Sequence, residues 1–274
     1  MTTKQKIIRG CAIALAILLV ISIFYGMLQI LMPLLGRIVG DDDAVGDAVT
    51  PMDVGGESFI GLEIEINAAA LNVTVGDAWA VETNLNRLRV KVLAGVLVLE
   101  ETTRGNHGDY DGAVLNVTVP RDVTLRSVEI HTGAGEVRIE ALVTERLEME
   151  LGAGRVEIAS LQVNTAAEIE TGAGEFVLHN GSIRDLSLQA GIGKVTGRVA
   201  LTGSCEMELG IGKTDLTLLG DVSTYCISAE RGIGSCTVDG RSLSRNERYG
   251  TGDCRVHIEG GIGEVSVQLS PAAE

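Results

Sequence analysis

The chain has 274 residues, 45% of them hydrophobic but only 3% aromatic, with 35 Gly and a formal net charge of −15. Such a length supports a sizeable core, and abundant Gly with few aromatics suits short strands and tight turns rather than a helical bundle or a large enzyme core. The negative charge excludes nucleic acid as a partner, because phosphates reward Lys and Arg.

Residues 1–9 carry Lys4, Lys6 and Arg9 and read as a cytoplasmic tail. Gly10 to Leu35 then contains no ionised side chain. A helix needs about twenty apolar residues to cross a bilayer, and the apolar region of a cleaved signal peptide is shorter. Residues 10–36 are therefore expected to form one transmembrane helix, an uncleaved signal anchor whose partner is the lipid bilayer. The basic excess before it places the N-terminus inside and everything after it outside the cytoplasm. The expected location is the cell membrane, single-pass. Residues 37–58, with Asp41-Asp42-Asp43 and several Gly, read as a solvated linker.

Residues 59–126 alternate apolar and polar in runs such as Leu62-Glu63-Ile64-Glu65-Ile66 and Leu71-Asn72-Val73-Thr74-Val75. They are expected to form an N-terminal β region that caps a repetitive segment C-terminal to it. From 127 to 270 a Gly-x-Gly unit recurs seven times, and residues 271–274 read as a tail. The turns are Gly133/Gly135, Gly152/Gly154, Gly172/Gly174, Gly191/Gly193, Gly210/Gly212, Gly232/Gly234 and Gly261/Gly263, at intervals of 19, 20, 19, 19, 22 and 29 residues. A short fixed period marks a solenoid.

The flanks of each turn alternate with period two, as half-buried strands do. Four inward columns result. The first is Val128, Leu147, Ala167, Leu186, Cys205, Ile227 and Val256, and the second runs from Ile130 to Ile258. After the turn, Val137, Val156, Phe176, Val195, Thr214, Cys236 and Val265 make the third, and Ile139 to Val267 the fourth. The expected fold is all-β: a single-stranded right-handed β-solenoid with two short strands per coil of about 19 residues, preceded by one transmembrane helix. Leu142, Leu161 and Leu219 are expected to plug the second corner. The last interval holds Arg241, Arg245 and Arg248 and is expected to be a surface loop or end cap.

Several tempting motifs dissolve in this repeat. Gly212-Lys213-Thr214 lacks the earlier Gly of a P-loop, since Met207 stands there in a core column. Gly260-Gly261-Ile262-Gly263 lacks the Asp of the calcium nonapeptide, with Val265 in its place. His107, His131, His179 and His257 do not stand at metal-ligand spacing with another His or Cys, and none of the five cysteines forms a Cys-x-x-Cys pair. No catalytic residue, cofactor site or metal site is expected, and with one Trp and four Tyr there is little for sugar stacking. Cys205, Cys226, Cys236 and Cys254 read as packed thiols, with a disulfide left open by their spacing.

The outward positions of the first strand stand apart. They are Glu129, His131, Glu148, Glu150, Glu168, Glu170, Ser187, Gln189, Glu206, Glu208, Ser228, Glu230, His257 and Glu259, and none is Lys or Arg. Stacked carboxylates about 5 Å apart repel one another. The nine Glu form a candidate interaction strip, or a solvating face. The matching column beyond the turn is mixed: Glu136, Arg155, Glu175, Lys194, Lys213, Ser235 and Glu264.

With Leu71-Asn72-Val73-Thr74-Val75-Gly76-Asp77, the strand end Val119-Pro120 and the run Val128-Glu129-Ile130-His131-Thr132-Gly133-Ala134-Gly135-Glu136-Val137, the chain resembles the putative-adhesin family of bacterial β-solenoid domains over roughly residues 59–270. The resemblance implies a bacterial source and a cell-envelope setting, and brings no catalytic residues. The chain differs in having Ile rather than Ala in its last four turns, and in its long last interval. The expected function is a membrane-anchored, non-enzymatic surface-interaction module with a protein or envelope-polymer partner, a divalent cation being the weaker option. The alternatives are an envelope sensor or accessory subunit acting through a membrane partner, and a self-associating scaffold.

Overall fold

The computed structural model describes residues 44–55, 58–102, 110–243 and 247–271. The expected transmembrane helix over 10–36 and residues 37–43, 56 and 57 of the expected linker lie outside the described residues, and among the latter no helix is long and apolar enough to cross a membrane; within the expected linker, Val45–Met52 is a strand instead. The strands are β1 (Val45–Met52), β2 (Gly61–Ala68), β3 (Ala70–Gly76), β4 (Ala80–Leu85), β5 (Leu88–Leu93), β6 (Val96–Glu101), β7 (Val114–Pro120), β8 (Leu125–Arg184), β9 (Leu186–Thr202), β10 (Ser204–Leu219), β11 (Tyr225–Val238), β12 (Arg241–Ser242), β13 (Arg248–Tyr249) and β14 (Cys254–Ser270). They make one 14-stranded, all-β sheet.

The 60 residues of β8 would span about 200 Å if straight. Instead the strand winds, and the pairing carries on through each Gly-x-Gly corner. Gly174 pairs with Gly193, Gly193 with Gly212 and Gly212 with Gly263, all in parallel register. At the second Gly of each corner φ runs from +129° to +147°. A Cβ there would stand 1.7–2.3 Å from a carbonyl oxygen of the neighbouring rung. Only glycine lets two bent backbones approach so closely while keeping their ladder hydrogen bonds.

All four expected inward columns are buried at every position, in one continuous apolar core. The coil is less simple than two strands. In the first three coils the alternation of buried and exposed residues breaks again, after Ile139, Ile158 and Leu178 and after Thr144, Val163 and Ile183. A third short segment thus adds Leu142 and Thr144, then Leu161 and Val163, to the interior. The Thr144 hydroxyl is satisfied there by the Arg146 carbonyl at 2.8 Å. Leu218, which pairs with Val199, takes the inward place expected of Leu219, because one fewer residue separates corner from plug in that coil.

Read in chain order, the repeat implies that the Gly232 rung lies between the Gly210 and Gly261 rungs. The structure reverses them. β14 pairs with β10 on one side and β11 on the other, so the last coil is inserted between its two predecessors. The longer last interval makes this reach feasible. Its β12 and β13, carrying Arg241 and Arg248, pair antiparallel with the outer edge of β11 and cap it before the chain turns back.

The N-terminal end uses the same device. β2 and β3 lie parallel to the first coil of β8, with Ala68 opposite Ala134 at the corner. β6 and β7 form a further rung outside them. The intervening β4 and β5 pair antiparallel beyond that, and β1 closes the edge. Glu101 is buried there, accepting hydrogen bonds from the Asn67 N–H at 2.8 Å and the Tyr110 hydroxyl at 2.7 Å. At the opposite end Tyr225 is fully buried; its hydroxyl donates to the Leu219 carbonyl at 2.7 Å and accepts from the Leu201 N–H at 3.2 Å.

The corner makes a direct prediction. In Gly174→Ala the new Cβ would meet the Gly154 carbonyl oxygen at 1.7 Å, and the expected cost is about 3 kcal/mol or more. Gly112 also has positive φ, at +72°, but has open space around it, so Gly112→Ala should cost only about 1 kcal/mol. Thermal unfolding of the two variants beside the native chain measures the difference; equal losses would show that the corner tolerates side chains.

Candidate functional site: an acidic double column beside an isoleucine ridge

Parallel register converts the sequence repeat into straight columns. One column runs Glu63, Glu129, Glu148, Glu168, Ser187, Glu206, His257, Ser228, and its neighbour Glu65, His131, Glu150, Glu170, Gln189, Glu208, Glu259, Glu230. The structure brings all nine predicted Glu together and adds Glu63 and Glu65. These two lie outside the Gly-x-Gly repeat, but the alternation of Leu62-Glu63-Ile64-Glu65-Ile66 matches Val128-Glu129-Ile130-His131-Thr132 residue for residue. Glu63 and Glu129 are half-buried, and most of the others are exposed. Rungs sit about 4.8 Å apart, so Glu129, Glu148 and Glu259 have carboxylates above and below, most of the others have one on one side, and Glu206 lies between Ser187 and His257.

Two histidines interrupt the columns. His131 stands 3.9 Å from Glu148 through Nε2 and 3.8 Å from Glu150 through Nδ1. One ligand atom from each of these three residues lies within 4.8 Å of the others, a spacing in reach of a divalent cation. Sequence spacing concealed this trio because it spans two coils.

Farther along, the Ser228 hydroxyl lies 3.0 Å from Nδ1 of His257, whose Nε2 lies 3.4 Å from Glu259. The series superficially matches a nucleophile, base and orienting acid. The backbone at Ser228, however, is paired to β14 on one side and β13 on the other.

Beside the second column a shallow groove of about 850 Å³ follows the corner glycines, with Glu65, Glu150, Glu170, Glu208 and Glu259 along its wall. The crest beyond it is apolar. Ile192, Ile211, Ile262 and Ile233 are 60%, 48%, 49% and 72% exposed. Ile192 pairs with Ile211, Ile211 with Ile262 and Ile262 with Ile233. Exposed isoleucines scattered singly are ordinary, but four in unbroken register form a ridge. In the earlier rungs Ala134, Ala153 and Ala173 hold the same place, so the crest is apolar and bulky only along its later half.

The far flank behaves differently from the acidic one. Glu175 lies between Arg155 at 2.5 Å and Lys194 at 3.3 Å. Lys213 contacts Asp215 at 3.3 Å and Glu264 at 3.9 Å. Its contact with Glu264 exists only because β14 is inserted; in chain order Lys213 would face Ser235. Glu157 pairs with His179 at 2.8 Å, and that hydrogen bond, aided by Arg155, holds its carboxyl below the usual range. Charges are thus compensated on one side of the ridge and left uncompensated on the other.

Uncompensated repulsion should be visible as salt-dependent stability. Raising NaCl from about 10 mM to about 1 M shortens the screening length from ~30 to ~3 Å, and the melting temperature is expected to rise. Replacing Glu148, Glu150, Glu168 and Glu170 by Gln should raise the low-salt melting temperature and weaken the salt response. A melting temperature that falls with salt would contradict this picture of the strip.

The family model described as Toastrack DUF4097 matches residues 82–239. Solved structures with a similar chain path include a putative cell adhesion protein from Clostridium sporogenes, at 13% identity, 81% of this chain, 98% of that one and a TM-score of 0.38. A putative adhesin from Bacteroides fragilis is 13% identical over 84% of this chain and all of that one, with a TM-score of 0.44. A protein described as a putative lipid binding protein from Parabacteroides distasonis is 12% identical over 84% of this chain and 96% of its own, with a TM-score of 0.33. Comparison with curated proteins finds no match. The family model spans more than half of the chain, from β4 through β11, and the chain belongs to the Toastrack DUF4097 family.

Proposed function

We propose that the chain is a membrane-anchored, non-enzymatic surface-interaction module, held by a transmembrane helix over residues 10–36 with its β-solenoid outside the cytoplasm. Its contact face is the acidic double column together with the isoleucine ridge. The observation that carries this reading is the register itself: carboxylates stack over successive rungs with no Lys or Arg among them, directly beside a line of exposed isoleucines. Such a face costs stability through repulsion and through apolar exposure, and a partner that is both basic and apolar relieves both. A protein segment or an envelope polymer bearing cationic groups has that chemistry. Charge would steer the encounter and set its salt dependence, while the ridge would supply the buried apolar centre.

Self-association is the second reading, and the ridge is the specific observation that favours it. The two readings separate experimentally. The full-length chain in detergent is used as bait for envelope extract, beside the variant with Glu148, Glu150, Glu168 and Glu170 changed to Gln. The proposal predicts a partner that the native chain retains and the variant loses, and that about 0.5 M salt releases, since the attraction is screened. Capture that is indifferent to the four substitutions would remove the strip from the contact face. Concentration-dependent sedimentation that disappears when Ile192, Ile211, Ile233 and Ile262 are changed to Ser would instead identify a second copy as the occupant.

A further inference from the structure

We propose that Cys205 and Cys254 are a disulfide-forming pair that locks the inserted last coil into the stack. Cys205 opens the inward column of β10, and Cys254 is the first residue of β14. Ser204 is opposite Arg255 and Cys205 opposite Val256, so Cys254 stands two positions before the partner of Cys205, and both cysteines lie at the same end of the junction. The Arg255 N–H donates to the Gly203 carbonyl at 3.0 Å, which holds the strands together at this bend. Gly203 takes a φ of +79° there. Inward side chains on the inside of a bend converge, and both thiols point into the core, at 2% and 6% exposure.

The thiols touch. Cys254 hydrogen-bonds to Cys205, which lowers the Cys205 thiol below its ordinary range, while the same contact and burial push Cys254 up. The pair is thus polarised, with Cys205 the more readily ionised sulfur. In register, Cys226 lies opposite Arg255 and Cys236 opposite Val265.

The position has a topological meaning. β14 is seated between two strands that both precede it in the chain, and β10 is the first of the two it joins. A bond between residues 205 and 254 would close a ring containing the rest of β10 together with β11, β12 and β13. The inserted coil could not then leave without taking the whole C-terminal end with it. In a compartment with a disulfide donor, the Cys205 thiolate attacks the donor, breaking its S–S bond and releasing one donor thiolate. Cys254, once deprotonated, attacks the Cys205 sulfur of the mixed disulfide and releases the second. Two protons leave the pair, and the donor disulfide takes up the two electrons. Because both sulfurs are buried in the folded chain, this exchange belongs to folding or to local opening of the junction.

The test uses the full-length chain, refolded into detergent with oxidised glutathione. It is then denatured without reductant, alkylated and mapped by mass spectrometry. The expected map shows a Cys205–Cys254 cross-linked peptide, with Cys11, Cys226 and Cys236 alkylated. Reduction should then lower the melting temperature of the native chain and leave that of Cys205→Ala/Cys254→Ala unchanged. Alkylation of all five cysteines, or a cross-link joining any other pair, would overturn the proposal. So would a melting temperature indifferent to reduction in a chain shown to carry the bond. Mapping the native chain makes the first result independent of whether either variant folds.

Discussion

Two glycine backbones bent at the same place, and lying closer than any side chain allows, are the contact on which this molecule depends. Where a Cβ would fall, a carbonyl oxygen of the next rung already stands 1.7–2.3 Å away. That constraint fixes which residue of one coil lies over which residue of the next. Register then follows on both sides of the corner, because a slip of one residue would turn each inward side chain outward. The buried columns, the carboxylate columns and the isoleucine ridge all descend from one alignment. None is built by contacts of its own.

A stack with such strict register still has two open edges, and exposed edges pair with other chains. At each end the chain passes beyond the next rung, lays down antiparallel strands, and returns to insert a parallel rung behind them. β4 and β5 do this for β6 and β7, and β12 and β13 do it for β14. The last rung in the chain is therefore not the last in space. At the C-terminal end the result bears on the surface as well as the edge. Insertion of β14 sets Ile262 between Ile211 and Ile233, Glu259 between Glu208 and Glu230, and Glu264 beside Lys213.

Much of this was legible in the residues. The Gly-x-Gly period and the alternation beside it identified the four inward columns flanking the corner, since glycine spacing and side-chain polarity are both local signals; the third segment of each early coil, with Thr144 and Val163 inward, did not show in that pattern. The nine Glu of the strip followed from the same alternation. Glu63 and Glu65 escaped because their rung turns on Ala68 and Ala69 rather than on Gly-x-Gly. The order of the last coils was not legible: intervals of 22 and 29 residues show how far the chain can reach, not which edge is open when it arrives. The His131, Glu148 and Glu150 cluster and the Cys205–Cys254 contact both join different coils, so no spacing within one coil announces them. Leu218 displaced Leu219 through a one-residue difference in coil length, the scale at which pattern reading loses register.

The inserted rung is where register, surface and edge protection meet, and paired cysteines on the exposed crest test it most directly. The chain with Ile211→Cys and Ile262→Cys, and the chain with Ile211→Cys and Ile233→Cys, would each be treated with a mild oxidant and mapped. The observed stack places Ile211 beside Ile262 and two rungs from Ile233, so the first pair is expected to cross-link readily and the second to stay reduced. Rapid cross-linking of Ile211→Cys to Ile233→Cys, with the first pair unreacted, would mean that the coils stack in chain order and would contradict the account.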